Sequence, residues 1–355
     1  MLKRMSAQSK TGSKQRQQTG RSGELALIQH IRDRAQARPT SDLRLGIGDD
    51  CAILRSRADE EIVVTTDLSL EGRHFRRDWH PAASIGHRAL ARGLSDIAAM
   101  GARPLAAFLS LALPAEVAGN APWIAGFLDG LLSLAKLHRV PLAGGDTSES
   151  PDVPDAAVIA DIVLLGAAPA GRALRRSTAR PGDLLYCTGA LGGASAELAA
   201  LSANPRSFAR AKPDGTHPHL FPQPRLAVGQ TLLRKKIATA CIDLSDGLST
   251  DLAHLCEASG VAAEIDTNSL PLHPLTAQLV PEARLHAALN GGEDYELLFT
   301  ARPSTRMPRS IAGVAITRIG RITTRRPRTA LMTLIDAEGR RTPLEPHGWE
   351  HFRNA

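Results

Sequence analysis

Six short segments of this chain set carboxylates beside glycine or hydroxyl residues. They are Gly46-Ile47-Gly48-Asp49-Asp50, Thr65-Thr66-Asp67, Leu94-Ser95-Asp96, Ala143-Gly144-Gly145-Asp146-Thr147, Ile242-Asp243-Leu244-Ser245-Asp246-Gly247 and Asn290-Gly291-Gly292-Glu293-Asp294-Tyr295-Glu296. Any one of them alone reads as a turn, because Asp and Gly favour turn geometry. Six together exceed what solvated turns supply. Carboxylate and hydroxyl oxygens are hard ligands suited to Mg²⁺, which takes one or two carboxylates plus substrate phosphates rather than an all-protein cage. Glycine beside them removes the Cβ that would keep a polyphosphate away from backbone N–H groups. The pattern therefore predicts metal-assisted phosphate handling rather than redox chemistry. The commoner nucleotide devices are absent: there is no G-x-x-x-x-G-K-S/T loop, no H-R-D catalytic loop and no G-x-S-x-G elbow.

These acids need elements to position them, and the expected style is α/β (α+β) in two domains, since 355 residues exceed one ordinary core. Helical spacing predicts a surface helix over Glu24 to Ala37, a second from Ala83 to Met100 with Asp96 beside its apolar stripe, and a third through Ile124 to Ala135. The β-branched run from Ile62 to Thr66 predicts a buried strand ending in Asp67, and Ala157 to Leu165 another. Gly166 to Gly171 is expected to link the halves. The second half repeats the grammar. A strand at Leu184 to Cys187 leads into an alanine-rich helix through Leu201, a loop follows over about Asn204 to Pro224, and a strand-turn-helix unit spans Ala238 to Cys256. Further strands are expected at Val261 to Ile265, Tyr295 to Thr300 and Val314 to Arg321. The resulting division is a basic extension over 1–23, an N-terminal domain over 24–168 and a C-terminal domain over 169–355.

The formal net charge of +7 is concentrated at the start of the chain: residues 1–23 carry six basic residues and no acid. With so little apolar surface this segment is expected to be a dispensable disordered extension, with Met5 as an alternative start. The remaining body is nearly neutral, which argues against nucleic acid as a partner. Composition is 43% hydrophobic and 22% charged, and no apolar run approaches the ~20 residues that cross a bilayer, so neither a membrane span nor a membrane partner is expected. Four cysteines without C-x-x-C spacing suggest neither zinc nor a disulfide framework and fit a reducing cytoplasm.

The segments above, joined by Gly72-Arg73-His74-Phe75 and by the longer runs Leu94 to Gly101 and Gly291 to Leu297, occur in an order that resembles the thiamine-monophosphate kinases. The resemblance spans about Gly23 to Phe352. It implies the two-domain fold shared with aminoimidazole-ribotide synthetase and selenophosphate synthetase, with an N-terminal sheet forming a homodimer interface. The implied reaction is ATP plus thiamine monophosphate giving ADP plus thiamine diphosphate, the last step of thiamine diphosphate biosynthesis, with several Mg²⁺ ions and ATP as co-substrate. Carried over by position, the metal ligands are Asp50, Thr65, Thr66, Asp67, Asp96, Asp146, Asp243 and Asp246. ATP contacts fall on Gly145, Asp146, Arg176 and Ser245, substrate contacts on His74, Glu293 and Trp349, and the catalytic roles on Asp96, Asp146 and Asp243. Thr65 stands where Ser is frequent, which keeps the hydroxyl. Ser69 replaces a bulkier residue, which alters the packing near His74.

The chemistry implied explains the residue types. Two anionic reactants repel, and cations must offset that repulsion, about 4 kcal/mol per unit pair at 4 Å and an effective dielectric of 20. The acceptor phosphate, with a second pKa near ~6, is mostly dianionic at neutral pH and needs no general base. On residue type alone Arg176 reads either as a phosphate fork or as a solvated turn, His74 as a substrate contact or a structural histidine, and Trp349 as a stacking ring or an anchor for the tail. Three competing readings are a sister enzyme of the same fold, weakened by the lack of any Cys before Cys51, a catalytically silent scaffold, and nucleic-acid binding through residues 1–23.

Overall fold

The computed structural model describes residues 24–35, 40–153 and 155–349. The basic extension lies outside them. The first half is built on a four-stranded sheet in the order β3-β6-β4-β5, formed by β3 (Glu60–Leu70), β4 (Arg103–Leu113), β5 (Leu142–Glu149) and β6 (Ile159–Pro169). A small ribbon of β1 (Leu43–Leu45) and β2 (Ile53–Leu54) precedes it. β4 and β5 run parallel, and the other two pairings are antiparallel. One face is covered by α2 (Ala82–Ala99), which packs in turn on α4 (Ala121–Leu137); α1 (Glu24–Ala35) and the one-turn α3 (Ala115–Ala118) lie at the periphery.

The second half carries a sheet of eight strands, in the order β14-β13-β9-β12-β7-β10-β8 with β11 paired to β12. Its strands are β7 (Leu184–Thr188), β8 (Ala240–Asp243), β9 (Val261–Asp266), β10 (Leu297–Ala301), β11 (Ser310–Ile311), β12 (Val314–Thr324), β13 (Met332–Ile335) and β14 (Arg341–Pro343). Four helices accompany them: α5 (Gly193–Ala203), α6 (Leu226–Arg234), α7 (Leu248–Ser259) and α8 (Pro281–Asn290). One core cluster lies beneath α7 and α8. Another runs from the first half into Tyr186, Leu232 and Phe299 of the second, so α2 is shared by both bodies. At Gly229 of α6 an added Cβ would stand 1.9 Å from the Ala98 carbonyl of α2, so only glycine permits this approach.

Several expectations need correction. Gly166 to Pro169 is not a linker: it continues β6 and pairs with Glu60 to Val63. Pro169 is tolerated because it ends the strand, where a missing N–H costs no interior ladder bond. The Ile62 strand does not stop at Asp67 but runs to Leu70. Asp67, Asp96 and Asp146 therefore sit within regular elements, not in turns. Strand β4 was not foreseen. Seven of its eleven residues are buried, and apolar residues on both faces leave no polar alternation in the sequence to mark it as a strand. The loop from Asn204 to Pro224 contains a single 3₁₀ turn (Pro205–Phe208), and it folds back so that Leu220 and Phe221 pack near Trp79 and Ala83 of the first half.

Candidate active site

Three side chains leave α2 at four-residue intervals, Arg88, Arg92 and Asp96, and so share one helix face. That face looks onto β3, whose period-two alternation turns Val63, Thr65, Asp67 and Ser69 inward and Ile62, Val64, Thr66 and Leu68 outward. Thr65 Oγ1 donates a short hydrogen bond to Asp96 Oδ2. Arg92 Nη2 reaches Asp67 Oδ1 at 3.2 Å. From the second half, Asp243 at the end of β8 meets the same helix, where its Oδ2 accepts from Ser95 Oγ at 2.6 Å. Asp67, Asp96 and Asp243 are thereby gathered from three distant stretches of sequence.

Their electrostatics follow from that crowding. Burial, and next the charge of Asp96, pushes the Asp243 carboxyl up to about 7. Burial likewise raises Asp67 to about 6 against the opposing pull of Arg92, and raises Asp96 against its hydrogen bond from Thr65. Desolvated like charges of this kind are relieved by a cation. Among the described residues no group of three or more His, Cys, Asp or Glu could hold a metal by itself. The donor set is instead carboxylate pairs with neighbouring hydroxyls, which fits Mg²⁺, an ion that keeps waters and substrate phosphates as its other ligands.

Two cavities share Asp96 and Asp243. The larger, of about 370 Å³, is lined by Asp67, Arg73, His74, Arg92, Ser245, Asp246, Glu293, Tyr295 and Trp349 among others. The smaller, of about 250 Å³, is lined by Val63, Val64, Thr65, Met100, Arg176, Cys241 and Ile242. In the larger cavity His74 Nδ1 accepts from the Leu70 amide at 3.0 Å, which fixes the ring. The Trp349 amide donates to the Asp246 carbonyl at 3.0 Å and the Gly348 amide to Thr250 Oγ1 at 3.1 Å, so the backbone anchors the tail while the indole lines the cavity.

Glu293 is held at both of its oxygens. Its Oε1 accepts from Arg88 Nη2 at 2.6 Å and its Oε2 lies 3.1 Å from His219 Nδ1. His219 in turn contacts His80 through Nε2 at 3.0 Å, and Arg88 also donates to the carbonyls of His219 and His74. Burial opposes ionisation of Glu293, but Arg88, the His219 hydrogen bond and Arg92 outweigh it and hold the carboxyl well below the usual range. The neighbouring acids of the same run do other work. Asp294 accepts from the Gly192 and Ala194 amides at the start of α5, and Glu296 is bound by Arg225 and Thr188. Glu293 and Tyr295 both have positive φ, 59° and 49°, a strained backbone of the kind that clusters at ligand sites.

Other expected site residues lie elsewhere. Thr66 faces outward, away from Thr65 and Asp67. Asp50 is exposed in the loop between the small strands. Gly145 and Asp146 stand on β5, opposite Leu109 and Ser110, at the far edge of the sheet from β3. Three strand spacings of ~4.8 Å separate those edges by about 14 Å. They line a separate cavity of about 100 Å³ with Ile28, Ile31 and Ile47. Sequence reasoning missed Arg88, Arg92, His219 and Tyr295. The four-residue interval from Arg88 through Arg92 to Asp96 was the available signal for the first two; His219 carried none, because its contact with Glu293 exists only after the loop folds back.

Comparison with known proteins agrees with this architecture. Residues 48–170 match the family described as AIR synthase related protein, N-terminal domain, and residues 180–326 its C-terminal domain. The chain is 40% identical over 338 residues to a thiamine-monophosphate kinase of Escherichia coli O157:H7, covering 93% of this chain and 98% of that one. It is 33% identical over 319 residues to the Bacillus subtilis protein of the same name, covering 88% and 95%. A crystal structure of thiamine-monophosphate kinase from Stenotrophomonas maltophilia K279a superposes with a TM-score of 0.74 at 37% identity, over 88% of this chain and 96% of that one. The structure described as AaThiL complexed with AMPPCP and TMP superposes with a TM-score of 0.71 at 28% identity, over 93% and 97%.

Proposed function

The chain belongs to the thiamine-monophosphate kinase family, and we propose that it transfers the γ-phosphoryl group of ATP to thiamine monophosphate, giving ADP and thiamine diphosphate as the last step of that cofactor's synthesis. The observation that carries this reading is the pair of cavities meeting at Asp96 and Asp243. A donor on one side and an acceptor on the other would face each other across those carboxylates, which is the arrangement an in-line transfer needs.

In this reading the larger cavity takes the acceptor, with His74, Glu293 and Trp349 around the thiamine moiety. The smaller takes ATP phosphates beside Arg176. Ser245, in the larger cavity, and Gly145 and Asp146, in the separate cavity on β5, are ATP contacts by family position alone. Thr65, Asp67, Asp96, Asp243 and Asp246, which line the two cavities, would hold Mg²⁺ ions that supply the positive charge two phosphate anions require, while Asp50, Thr66 and Asp146 stand apart from them and are ligands by family position alone. Thr65 and Ser95 orient Asp96 and Asp243 through the hydrogen bonds described above, so those carboxylates need no reorganisation when the substrates arrive. The acceptor phosphate enters deprotonated, so no side chain serves as base and no phosphoenzyme is needed. Residues 24–168 form the ATP- and metal-binding domain, and residues 169–355 complete the site.

The assembly proposed is a homodimer through the first sheet. β3 is an edge strand whose outer face exposes Ile62, Val64 and Leu68 at 43%, 61% and 48%, an apolar stripe interrupted by Thr66 that a second copy would cover. Among the described residues no helix is long and apolar enough to cross a membrane, and the four cysteines are free, which suits a cytoplasmic enzyme. The deciding assay is thiamine diphosphate formation by purified protein with ATP, Mg²⁺ and thiamine monophosphate, with free thiamine and aminoimidazole precursors as controls. Absence of thiamine diphosphate, or equal turnover of free thiamine, overturns the assignment.

A further inference from the structure

Arg88 and Arg92 lie one helical turn apart on the same face of α2, yet the protein treats them differently. Arg88 is buried, and its terminal nitrogens are taken up by Glu293, by the His219 carbonyl and by the His74 carbonyl. Its donors are spent within the fold. Arg92 is bound at one terminal nitrogen by Asp67, while the other, Nη1, is buried without any hydrogen-bond partner. A guanidinium is always charged and carries its donors in a rigid fork, so an unmet donor on it is costly unless a ligand supplies the acceptor. Arg92 also lines the larger cavity, between the carboxylates at one end and His74, Glu293 and Trp349 at the other.

We propose that Arg92 is the residue that receives the phosphate of the acceptor substrate, and so selects a phosphate monoester over the corresponding alcohol. The proposal rests on the reading of the larger cavity as the acceptor site. Its physical basis is that a dianionic phosphate offers several acceptor oxygens matched to a guanidinium fork. Arg73 lines the same cavity but is exposed, so a phosphate bound to it would stay largely in water. Arg92 is the cation whose surroundings are already desolvated, where a charge-assisted bond counts most. Asp67 holds the near side of the guanidinium, leaving the side chain oriented before the ligand arrives.

The test compares wild-type protein with R92Q, which removes the charge, and R92K, which keeps a cation beside Asp67 but loses the fork and guards against loss of the fold. Three quantities are read: the KM for thiamine monophosphate, the KM for ATP and the Mg²⁺ concentration giving half-maximal rate. The expected result is a rise in the thiamine monophosphate KM of roughly 10- to 100-fold in R92Q, a smaller rise in R92K, an unchanged ATP KM and a Mg²⁺ requirement that does not rise, since losing a cation beside Asp67 does not weaken a metal site there. If the ATP KM and Mg²⁺ requirement move while the acceptor KM does not, Arg92 serves Asp67 alone and the proposal is overturned. Three unchanged quantities overturn it equally. Thiamine diphosphate formation by the wild-type protein tests the underlying kinase reading separately, since it does not depend on any Arg92 variant.

Discussion

Replacing Glu293 by Gln removes the charge that faces Arg88, and the structure sets the size of the effect. The Arg88 side chain is only 4% exposed and lies 2.6 Å from the carboxylate, so the substitution strands a buried guanidinium. Removing one partner of such a pair costs about 3–5 kcal/mol. Arg88 keeps the His219 and His74 carbonyls as acceptors, which places the expected loss at the lower end, about 3 kcal/mol, still a large part of a typical stability of 5–15 kcal/mol. Urea unfolding at neutral pH of the wild type, E293Q, R88L and the double variant measures it. Because the double variant R88L/E293Q no longer buries an unpaired guanidinium, it should be less destabilised than the sum of the single variants, with a coupling of at least ~2 kcal/mol. A pH series supplies the sign. The Glu293 carboxyl is held below its ordinary 4.5, so its stabilisation is fully present above that value and is lost only as the pH falls through the depressed one; E293Q should lack that acid-limb loss. Additive single substitutions, with no coupling, would refute the view that these residues form one buried unit.

Other consequences are equally direct. In protein freed of metal with a chelator, the wild type should lose stability as the pH rises from about 4 to about 7, because the Asp243 carboxyl is raised from 3.8 to about 7; at 1.36 kcal/mol per pH unit the loss approaches ~4 kcal/mol. D243N should make that slope shallower without abolishing it, because the buried Asp67, Asp96 and Asp294 carboxyls are raised as well, and should gain stability at pH 8 and lose kcat by orders of magnitude; a slope as steep in D243N as in the wild type would show that the strain lies elsewhere. An alanine at Gly145 would set its Cβ 1.9 Å from the Leu109 carbonyl, so G145A should disrupt the β4–β5 pairing and lower the melting temperature by several degrees, read by calorimetry. Placing a lysine at Val64, in the exposed stripe of β3, should leave the monomer folded and shift sedimentation from dimer to monomer; an unchanged sedimentation coefficient counts against the sheet as the interface. Deletion of residues 1–23 should leave kcat/KM unchanged.

Much of the site was legible without the fold because its chemistry is local. Short acidic runs beside glycine can be read as candidate oxygen ligands and phosphate contacts without knowing the fold, and their order along the sequence pointed to the family. The elements carrying Asp67 and Asp96 were readable for the same reason, since β-branched runs and helical spacing act over a few residues. β4 was not, because apolar residues occupy both of its faces and erase the alternation that distinguishes a strand.

The sequence by itself determined which atoms are available: carboxylates and hydroxyls for a cation, arginines for phosphate, and one indole near the end of the chain. Tertiary structure decided which of them meet. It brought Asp67, Asp96 and Asp243 together, turned Thr66 away from Thr65, set Asp146 at the opposite edge of its sheet, and divided the two arginines of α2 into one satisfied by the fold and one left with a donor to spare. The physical reason is that desolvation and charge proximity act only once distant segments share a water-poor space: burial and a neighbouring carboxylate raise the Asp243 carboxyl, while Arg88, His219 and Arg92 hold that of Glu293 down against its burial.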